Sequence, residues 1–233
     1  MADWSQIRFE DAVCVNILEL IYYHDLVMFI ILIVLTLVVG FILFSSLSQF
    51  SCRLLGTSQK LELGWTCFPI VLIAILVAPS IHILYIIEEV VGSYMTIKVI
   101  GHQWYWEYQY PKVSHGVFSN FRYDSYMTTV RNLNRGSVRL MTVDKPCVLP
   151  VIRVIRILVT SADVLHCWTL NGLGVKVDAV PGRVNELNIN ALRCGIFRGQ
   201  CSELCGVNHS FIPIEVEIIP LRWYIKWISC VIK

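Results

Sequence analysis

Two cysteines and a histidine stand within nine positions near the end of the chain, in the segment CSELCGVNH. Cys201, Cys205 and His209 offer two thiolates and one imidazole, and His166, at the end of another strand-like segment, offers a second imidazole. Two soft sulfurs with two imidazoles suit copper or zinc. A closed zinc site and a disulfide between the two cysteines are the plainer alternatives, and the residue types alone leave them open.

Short β-branched segments surround these residues and predict a β-domain over residues 95–233 that ends in a helix. The segment HQWYWEYQY places Trp104, Trp106, Tyr108 and Tyr110 on one face by period-two alternation. VIRILVT, LGVKVDAV, RVNELNI and IPIEVEII favour an antiparallel sandwich or barrel, and LRWYIKWISCVIK has a helical period. Ligands on strand ends and a tight loop of such a scaffold favour copper and electron transfer. The sequence has no phosphate-binding glycine loop, so we expect no nucleotide chemistry and no nucleic-acid partner.

The composition, with 56% apolar and 15% charged residues, is typical of a membrane protein. Residues 26–47 contain no charge and are long enough to cross a hydrocarbon core of about 30 Å. Their 17 Leu, Ile, Phe and Val residues favour insertion by about 5 to 10 kcal/mol. Residues 63–87 form a second apolar run, in which Pro69 and Pro79 are tolerated because packed neighbours satisfy the freed backbone groups. Two such spans predict a two-helix transmembrane hairpin.

The charges that flank the apolar runs predict how the hairpin is oriented. The connecting loop carries Arg53 and Lys60, whereas the first 25 residues carry one Arg against five Asp and Glu. The positive-inside rule therefore places the short loop on the inner side, and both termini with the β-domain on the other side. We interpret residues 1–94 as an N-terminal segment followed by the hairpin.

Four motifs carry a resemblance to a known family. GHQWYWEYQY, TSADVLH, VKVDAVPGRVNE and GQCSELCGVNHSF resemble subunit II of the mitochondrial cytochrome c oxidases, and the hairpin followed by a β-domain is similar to that family along nearly the whole chain. The resemblance implies an all-β cupredoxin-like Greek-key domain in the intermembrane space and an anchor in the mitochondrial inner membrane. It also implies, as partners, oxidase subunits I and III, accessory subunits, the lipid bilayer and the electron donor cytochrome c.

The resemblance further implies a function and a set of ligands. Electrons would pass from cytochrome c to a dinuclear copper centre and on to subunit I, which carries the haems and reduces oxygen with coupled proton pumping. Cys201 and Cys205 would bridge both coppers, His166 and His209 would each ligate one, and Glu203 would add its backbone carbonyl. The Glu203 carboxylate would bind a magnesium ion shared with subunit I, since hard oxygen ligands suit that ion.

A rival function is a copper-free β-domain that only scaffolds a complex, as in quinol-oxidising relatives whose second subunit lacks the copper cysteines. The intact CSELC and NH segments argue against this rival. Either function leaves the haems to a partner subunit.

Two further residues take roles from the resemblance. Trp104 matches the residue at which electrons enter, where an aromatic ring lies between the docked haem protein and the copper. The alternatives for Trp104 are an interfacial aromatic belt and the sheet core. We assign these alternatives to Trp106, and we interpret His102 as a structural hydrogen-bond partner. Glu62 in ELGWT matches an acid at the mouth of a proton path into subunit I. A plain interfacial residue is the alternative, because a carboxylate at a helix end costs little.

The charge of the β-domain conflicts with docking of a basic partner. Residues 95–233 carry 16 Lys and Arg against 9 Asp and Glu, a balance of +7. Docking depends on local charge, so either other subunits supply an acidic face or acidic residues cluster on this chain. The candidates for such a cluster are Glu107, Asp124, Asp144, Asp163 and Glu186.

Position 212 departs from the family pattern. The family has a methionine there whose thioether is a weak ligand to one copper, whereas this sequence has Ile212. If Ile212 is genuine, that copper lacks an axial donor that tunes its potential. The other explanation is a codon difference, because several mitochondrial codes read AUA as Met and this sequence has 28 Ile against 5 Met.

We expect the mature chain to carry methionine at position 212, since the other ligands of the family are all retained. Digestion across CGVNHSFIPIEVEIIPLR and accurate mass measurement of the peptide distinguish the two residues. A mass that corresponds to isoleucine contradicts this expectation, and the copper centre then works without its thioether.

Overall fold

The computed structural model describes residues 5–6, 8–51, 56–88, 92–114 and 117–231, which form two compact units. One unit is Glu19–Ile86, and the other joins the described residues up to Leu18 with those from Ile87 onwards. The sequence had grouped the N-terminal segment with the hairpin, and the structure places it with the β-domain instead. The Leu192 amide donates to the Val13 carbonyl at 2.8 Å, a pairing between distant residues that no local pattern reveals.

Two long apolar helices follow the N-terminal segment and are long enough to cross a membrane. Helix α1 spans Val15–Leu47 and helix α2 spans Gln59–Glu88, about 50 and 45 Å at 1.5 Å per residue. Both extend beyond the predicted spans of residues 26–47 and 63–87, because helical turns that contain charged residues continue the helices outside the uncharged runs. Pro69 and Pro79 lie inside α2, as expected. Lys60 lies in the first turn of α2, and Arg53 lies outside the described residues.

Ten strands and a short helix are described after α2. The strands are β1 Met95–His102, β2 Tyr105–Ser114, β3 Val117–Ser125, β4 Cys147–Pro150, β5 Val154–Ser161, β6 His166–Leu170, β7 Val175–Ala179, β8 Asn185–Asn190, β9 Gly195–Gln200 and β10 Pro213–Ile219. Helix α3 spans Leu221–Val231 and confirms the helical period at the end of the chain. The all-β domain after two apolar helices is the predicted fold class.

The strands form three sheets, with the orders β3-β2-β1-β5-β8, β4-β10-β9 and β6-β7. Strand β1 pairs with β5 in parallel, and β10 pairs with β4 in parallel, whereas the other strand pairs are antiparallel. The expectation of a purely antiparallel domain is therefore wrong. A parallel pair needs a long crossover connection, and the partner of a strand across such a connection is not encoded in local alternation.

The segment HQWYWEYQY is two strands joined by a turn, not one strand as expected. His102 faces Tyr105 across the hairpin, so Gln103 and Trp104 form its two-residue turn. The prediction failed because this turn contains none of the Gly, Asn or Asp residues that mark such hairpins. Three aromatic side chains of β2 keep the predicted common face and are fully buried: Trp106, Tyr108 and Tyr110.

Candidate metal centre

Three of the predicted ligands meet in the interior of the β-domain. One donor atom each from His166, Cys201 and Cys205 lies within 4.8 Å of the others, and all three residues are buried. His166 is the first residue of β6, and Cys201 directly follows the end of β9. Both thiols are free, so the structure does not contain the alternative disulfide. The arrangement is that of a site for a soft metal ion.

The loop between β9 and β10, residues 201–212, is folded by its own backbone hydrogen bonds, and we call it the ligand loop because it carries most of the predicted ligands. At its base the Cys201 amide donates to the Ile212 carbonyl at 3.2 Å, and the Ile212 side chain is buried. Gly206 has a φ of +120°, a conformation that side-chain-bearing residues rarely adopt. The His209 amide donates to the Gly206 carbonyl at 3.2 Å. The chain thus turns back on itself after Cys205.

This turn brings two further predicted donors to the thiols. His209 Nδ1 lies 3.4 Å from the Cys205 sulfur. The Glu203 carbonyl oxygen accepts a hydrogen bond from the Cys201 thiol at 3.3 Å, while the Glu203 side chain is exposed. The structure therefore places the other three predicted copper donors, two imidazoles and one carbonyl, beside the pair of cysteine sulfurs.

The two nitrogens of His166 have different surroundings. Nε2 lies 2.8 Å from a carboxylate oxygen of Asp163, which fixes the orientation of the ring. Nδ1 is buried and makes no hydrogen bond within the described part of the chain. A buried polar atom without a partner costs about 1 to 3 kcal/mol, so a ligand at Nδ1 is favoured. A metal held by an imidazole whose other nitrogen contacts a carboxylate is a common arrangement.

The two thiols differ in acidity. Burial opposes ionisation of Cys201, but the hydrogen bond and charge of His166, together with backbone hydrogen bonds at Cys167 and Glu203, outweigh burial and lower the pKa of Cys201 below its usual value. Burial and the negative charge of Cys201 raise the pKa of Cys205 to about 12. The pKa of His166 is lowered by burial but raised more by Cys201 and Asp163, so it lies above its usual value. Cys201 therefore ionises more readily than an ordinary thiol, whereas ionisation of Cys205 near neutral pH requires a cation beside it.

The hairpin turn between β1 and β2 contacts the ligand loop directly. The Trp104 indole N–H donates to the Cys205 carbonyl at 3.3 Å, and the Gln103 side-chain amide donates to the same oxygen at 2.9 Å. The Gln103 backbone amide donates to Asp163 at 2.6 Å. Trp104 is half-buried, so its ring extends from the protein surface to the ligand loop.

Trp106 and His102, which flank the hairpin turn, have the structural roles that the sequence predicts. Trp106 is fully buried in the sheet core, with its ring centre 5.9 Å from that of His166 in an edge-on contact. His102 lies outside the metal cluster, and its Nε2 is 3.3 Å from a carboxylate oxygen of Glu107.

Glu62 is exposed in the first turn of α2.

Two contact residues were missed as parts of the site. Gln103 was not singled out, and Asp163 was considered only as part of a docking face. The motif TSADVLH offered a signal for Asp163, because a carboxylate three residues before a ligand histidine is able to reach its ring. No comparable signal exists for Gln103, whose partners Asp163 and Cys205 lie 60 and 102 residues away.

Four acidic residues gather around the hairpin. Burial, and then the charges of Asp124, Glu107 and Asp163, raise the pKa of Tyr105. The Tyr105 ring stacks on Tyr126 at 4.6 Å, and the Tyr126 amide donates to Asp144 at 2.8 Å. We call Glu107, Asp124, Asp144 and Asp163 the acidic patch. The fifth candidate, Glu186, is paired instead with Arg156 at 2.8 Å.

Comparisons with known proteins match both parts of the chain. Family models described as the transmembrane and periplasmic domains of cytochrome c oxidase subunit II match residues 2–83 and 95–219. Cytochrome c oxidase subunit 2 of Apis mellifera ligustica is 43% identical over 229 residues, covering 98% of this chain and 99% of the relative. The same subunit of Drosophila melanogaster is 42% identical over 230 residues, covering 98% of each chain.

Solved structures match the β-domain. The periplasmic domain of subunit II of cytochrome oxidase from Bradyrhizobium japonicum is 41% identical with a TM-score of 0.55, and the match covers 61% of this chain and 96% of that chain. A second structure is a mixed disulfide intermediate between a thioredoxin-like protein and subunit II of cytochrome c oxidase. It is 38% identical with a TM-score of 0.51, covering 62% of this chain and 94% of that chain.

These matches confirm the cupredoxin-like fold and the family resemblance, and they favour electron transfer over a copper-free scaffold. The buried cluster of one histidine and two cysteines fits the copper centre that the family implies. The chain therefore belongs to the cytochrome c oxidase subunit II family, and it is an inner-membrane electron-transfer subunit of this respiratory oxidoreductase.

Proposed function

We propose that this chain holds a dinuclear copper centre with five donors, receives electrons from cytochrome c beside Trp104 and delivers them to subunit I. The ligands are the side chains of His166, Cys201, Cys205 and His209 and the carbonyl of Glu203. The observation that carries the proposal is the pair of free, buried thiols with the unpartnered Nδ1 of His166 beside them. Held by these residues, a pair of copper ions would supply a redox centre in which one electron is spread over both ions, which would lower the reorganisation energy of transfer.

The protein's own groups prepare the site for this role. Asp163 holds Nε2 of His166, so the ring presents Nδ1 to the thiols. The lowered pKa of Cys201 favours its thiolate, and the proton of Cys205 would leave when a cation binds, because ligand sulfur must be deprotonated. Burial of both sulfurs excludes water from the centre.

Trp104 is proposed as the residue at which electrons enter. Its ring reaches from the surface to the ligand loop, where its N–H contacts the carbonyl of a ligand cysteine. The acidic patch surrounds the same hairpin, although the β-domain as a whole is basic. A basic donor such as cytochrome c would therefore meet local negative charge at Trp104, which steers encounter more than it adds affinity.

The exposed side of the ligand loop is proposed to face other oxidase subunits. Leu204 and Val207 are 77% and 91% exposed, and neighbouring exposed apolar side chains favour burial in an assembly. The Glu203 carboxylate is exposed beside them, and we assign it to a magnesium ion at the boundary with subunit I. Subunit III, accessory subunits and the haems of subunit I complete the proposed complex.

The helical hairpin supports a proposed orientation of the chain in the membrane and a proposed role of Glu62 in proton uptake. Lys60 supports an inner-side loop between the helices, so the β-domain and both termini face the intermembrane space. Glu62 is then on the inner side, in the first turn of α2. We propose that it stands at the mouth of a proton path into subunit I.

The dinuclear site is tested by Cys205→Ser in the full chain, purified in detergent and loaded with copper. In the parent chain we expect a copper spectrum in which one electron is shared by two copper nuclei. In Cys205→Ser we expect this shared-electron spectrum to be lost, because a single cysteine sulfur is not enough to hold both copper ions together. Cys194→Ser, which removes an exposed thiol, is the matched control and should keep the parent spectrum. A parent chain that binds zinc, or one isolated copper, contradicts the proposal.

Replacing Trp104 by alanine should slow reduction of the assembled oxidase by cytochrome c by about tenfold or more, equivalent to about 1.4 kcal/mol in the barrier. Copper content should not change, because Trp104 is not one of the five proposed donors and contacts only the backbone of the ligand loop through its N–H. Stopped-flow reduction measures the rate, and Trp223→Ala, at an exposed tryptophan on α3, is the control. A rate within about twofold of the parent contradicts the electron-entry role and leaves Trp104 with a structural role only.

For Glu62, substitution by glutamine should reduce proton-coupled turnover of the assembled oxidase without affecting assembly, because the amide cannot release a proton. Oxygen consumption and proton uptake in reconstituted vesicles report the effect. Glu19→Gln, near the start of α1, is the matched control. An unchanged turnover would leave Glu62 as an interfacial residue only.

A further inference from the structure

We propose that Gly101 is a positioning residue for His166, because the absence of a β-carbon at this position leaves the space in which the imidazole lies. The inference rests on the proposed role of His166 as a metal ligand and adds a residue that contacts no ligand atom of the centre itself. Gly101 lies near the end of β1, two residues before the hairpin turn.

The space at Gly101 is filled by the His166 side chain. A β-carbon built on Gly101 would lie 2.9 Å from Cδ2, 3.0 Å from Cγ and 3.1 Å from Cβ of His166. Distances under 3.0 Å are not found between a real β-carbon and its neighbours, so one of the two groups would have to shift. The atoms concerned lie close to the His166 backbone and belong to a fully buried side chain, so they cannot swing away into solvent.

The backbone of Gly101 does not by itself require glycine. Its φ is outside the positive range that other residues avoid, in contrast to Gly206 and Gly174. What is required is therefore space and not conformational freedom.

The strand that carries Gly101 is not free to retreat. Gly101 pairs with Trp106 of β2 on one side and Ser161 of β5 on the other. Its carbonyl also accepts a hydrogen bond from the Ala162 amide at 3.0 Å. Because both edges of β1 are bonded, a β-carbon at this position would displace the imidazole more readily than the strand.

Displacement of the ring would change the metal site. Asp163 holds Nε2 at 2.8 Å, and Trp106 contacts the ring edge-on. A β-carbon at position 101 would therefore rotate or translate the His166 ring against these contacts and move Nδ1 relative to the two thiols. Gly101, Asp163 and Trp106 together define where Nδ1 lies.

The test is Gly101→Ala in the full chain, purified in detergent and loaded with copper. We expect about tenfold lower copper affinity, the usual scale for residues that orient a ligand, together with an altered copper spectrum and reduction potential. Gly92→Ala is the matched control, because nothing lies within 4 Å of a β-carbon there and its φ is ordinary. A folded Gly101→Ala chain with the spectrum, potential and affinity of the parent overturns the inference.

A second pair of variants decides the question if Gly101→Ala alone does not fold. His166→Gly removes the side chain that would clash, so His166→Gly and Gly101→Ala/His166→Gly should fold equally well. Added imidazole should restore the copper spectrum to His166→Gly, and about tenfold more imidazole should be needed in the double variant. Equal restoration in both overturns the role of Gly101. An unaltered spectrum in His166→Gly without imidazole overturns instead the ligand role on which the inference rests.

Discussion

The structure depends on one electrostatic constraint: two buried sulfurs stand so close that they cannot both carry a charge without a cation. His166 favours the thiolate of Cys201, and burial together with that negative charge raises the pKa of Cys205 to about 12. Without metal, the site therefore retains a proton that a bound cation must displace. Metal binding and the local order of the loop are thus coupled, because the ion removes the repulsion that the fold creates.

The scaffold meets this constraint by joining three segments that are distant in sequence. The Ser202 amide donates to the Cys167 carbonyl at 3.2 Å, which joins the ligand loop to β6 beside His166. The hairpin adds two donors to the Cys205 carbonyl through Gln103 and Trp104. Because these contacts connect strand ends to a short loop, small movements of one segment are resisted by the other two. A site held in this way keeps its geometry when its charge changes.

Many features of the fold and of the candidate site could be predicted from the sequence, and the features that were missed have a common cause. The spacing of Cys201, Cys205 and His209 predicted that these side chains lie together because they share one loop, and the apolar runs predicted α1 and α2 because helix insertion depends on local composition. The position of Trp104, the parallel pairing of β1 with β5 and the packing of the N-terminal segment on the β-domain were missed. Each of these depends on contacts between residues far apart, for which alternation and turn residues carry no information.

The acidic patch shows how a basic domain can present negative charge and why its residues do not act alone. Asp163 belongs to the patch, yet its carboxylate also contacts His166 and accepts the Gln103 amide. Its charge therefore contributes at once to the field that a basic donor meets and to the orientation of a proposed ligand. A substitution at Asp163 changes both, so its effect on cytochrome c reduction is not a measure of docking. Asp144 accepts the Tyr126 amide, whereas Asp163 contacts His166, so a substitution at Asp144 separates the two effects more clearly.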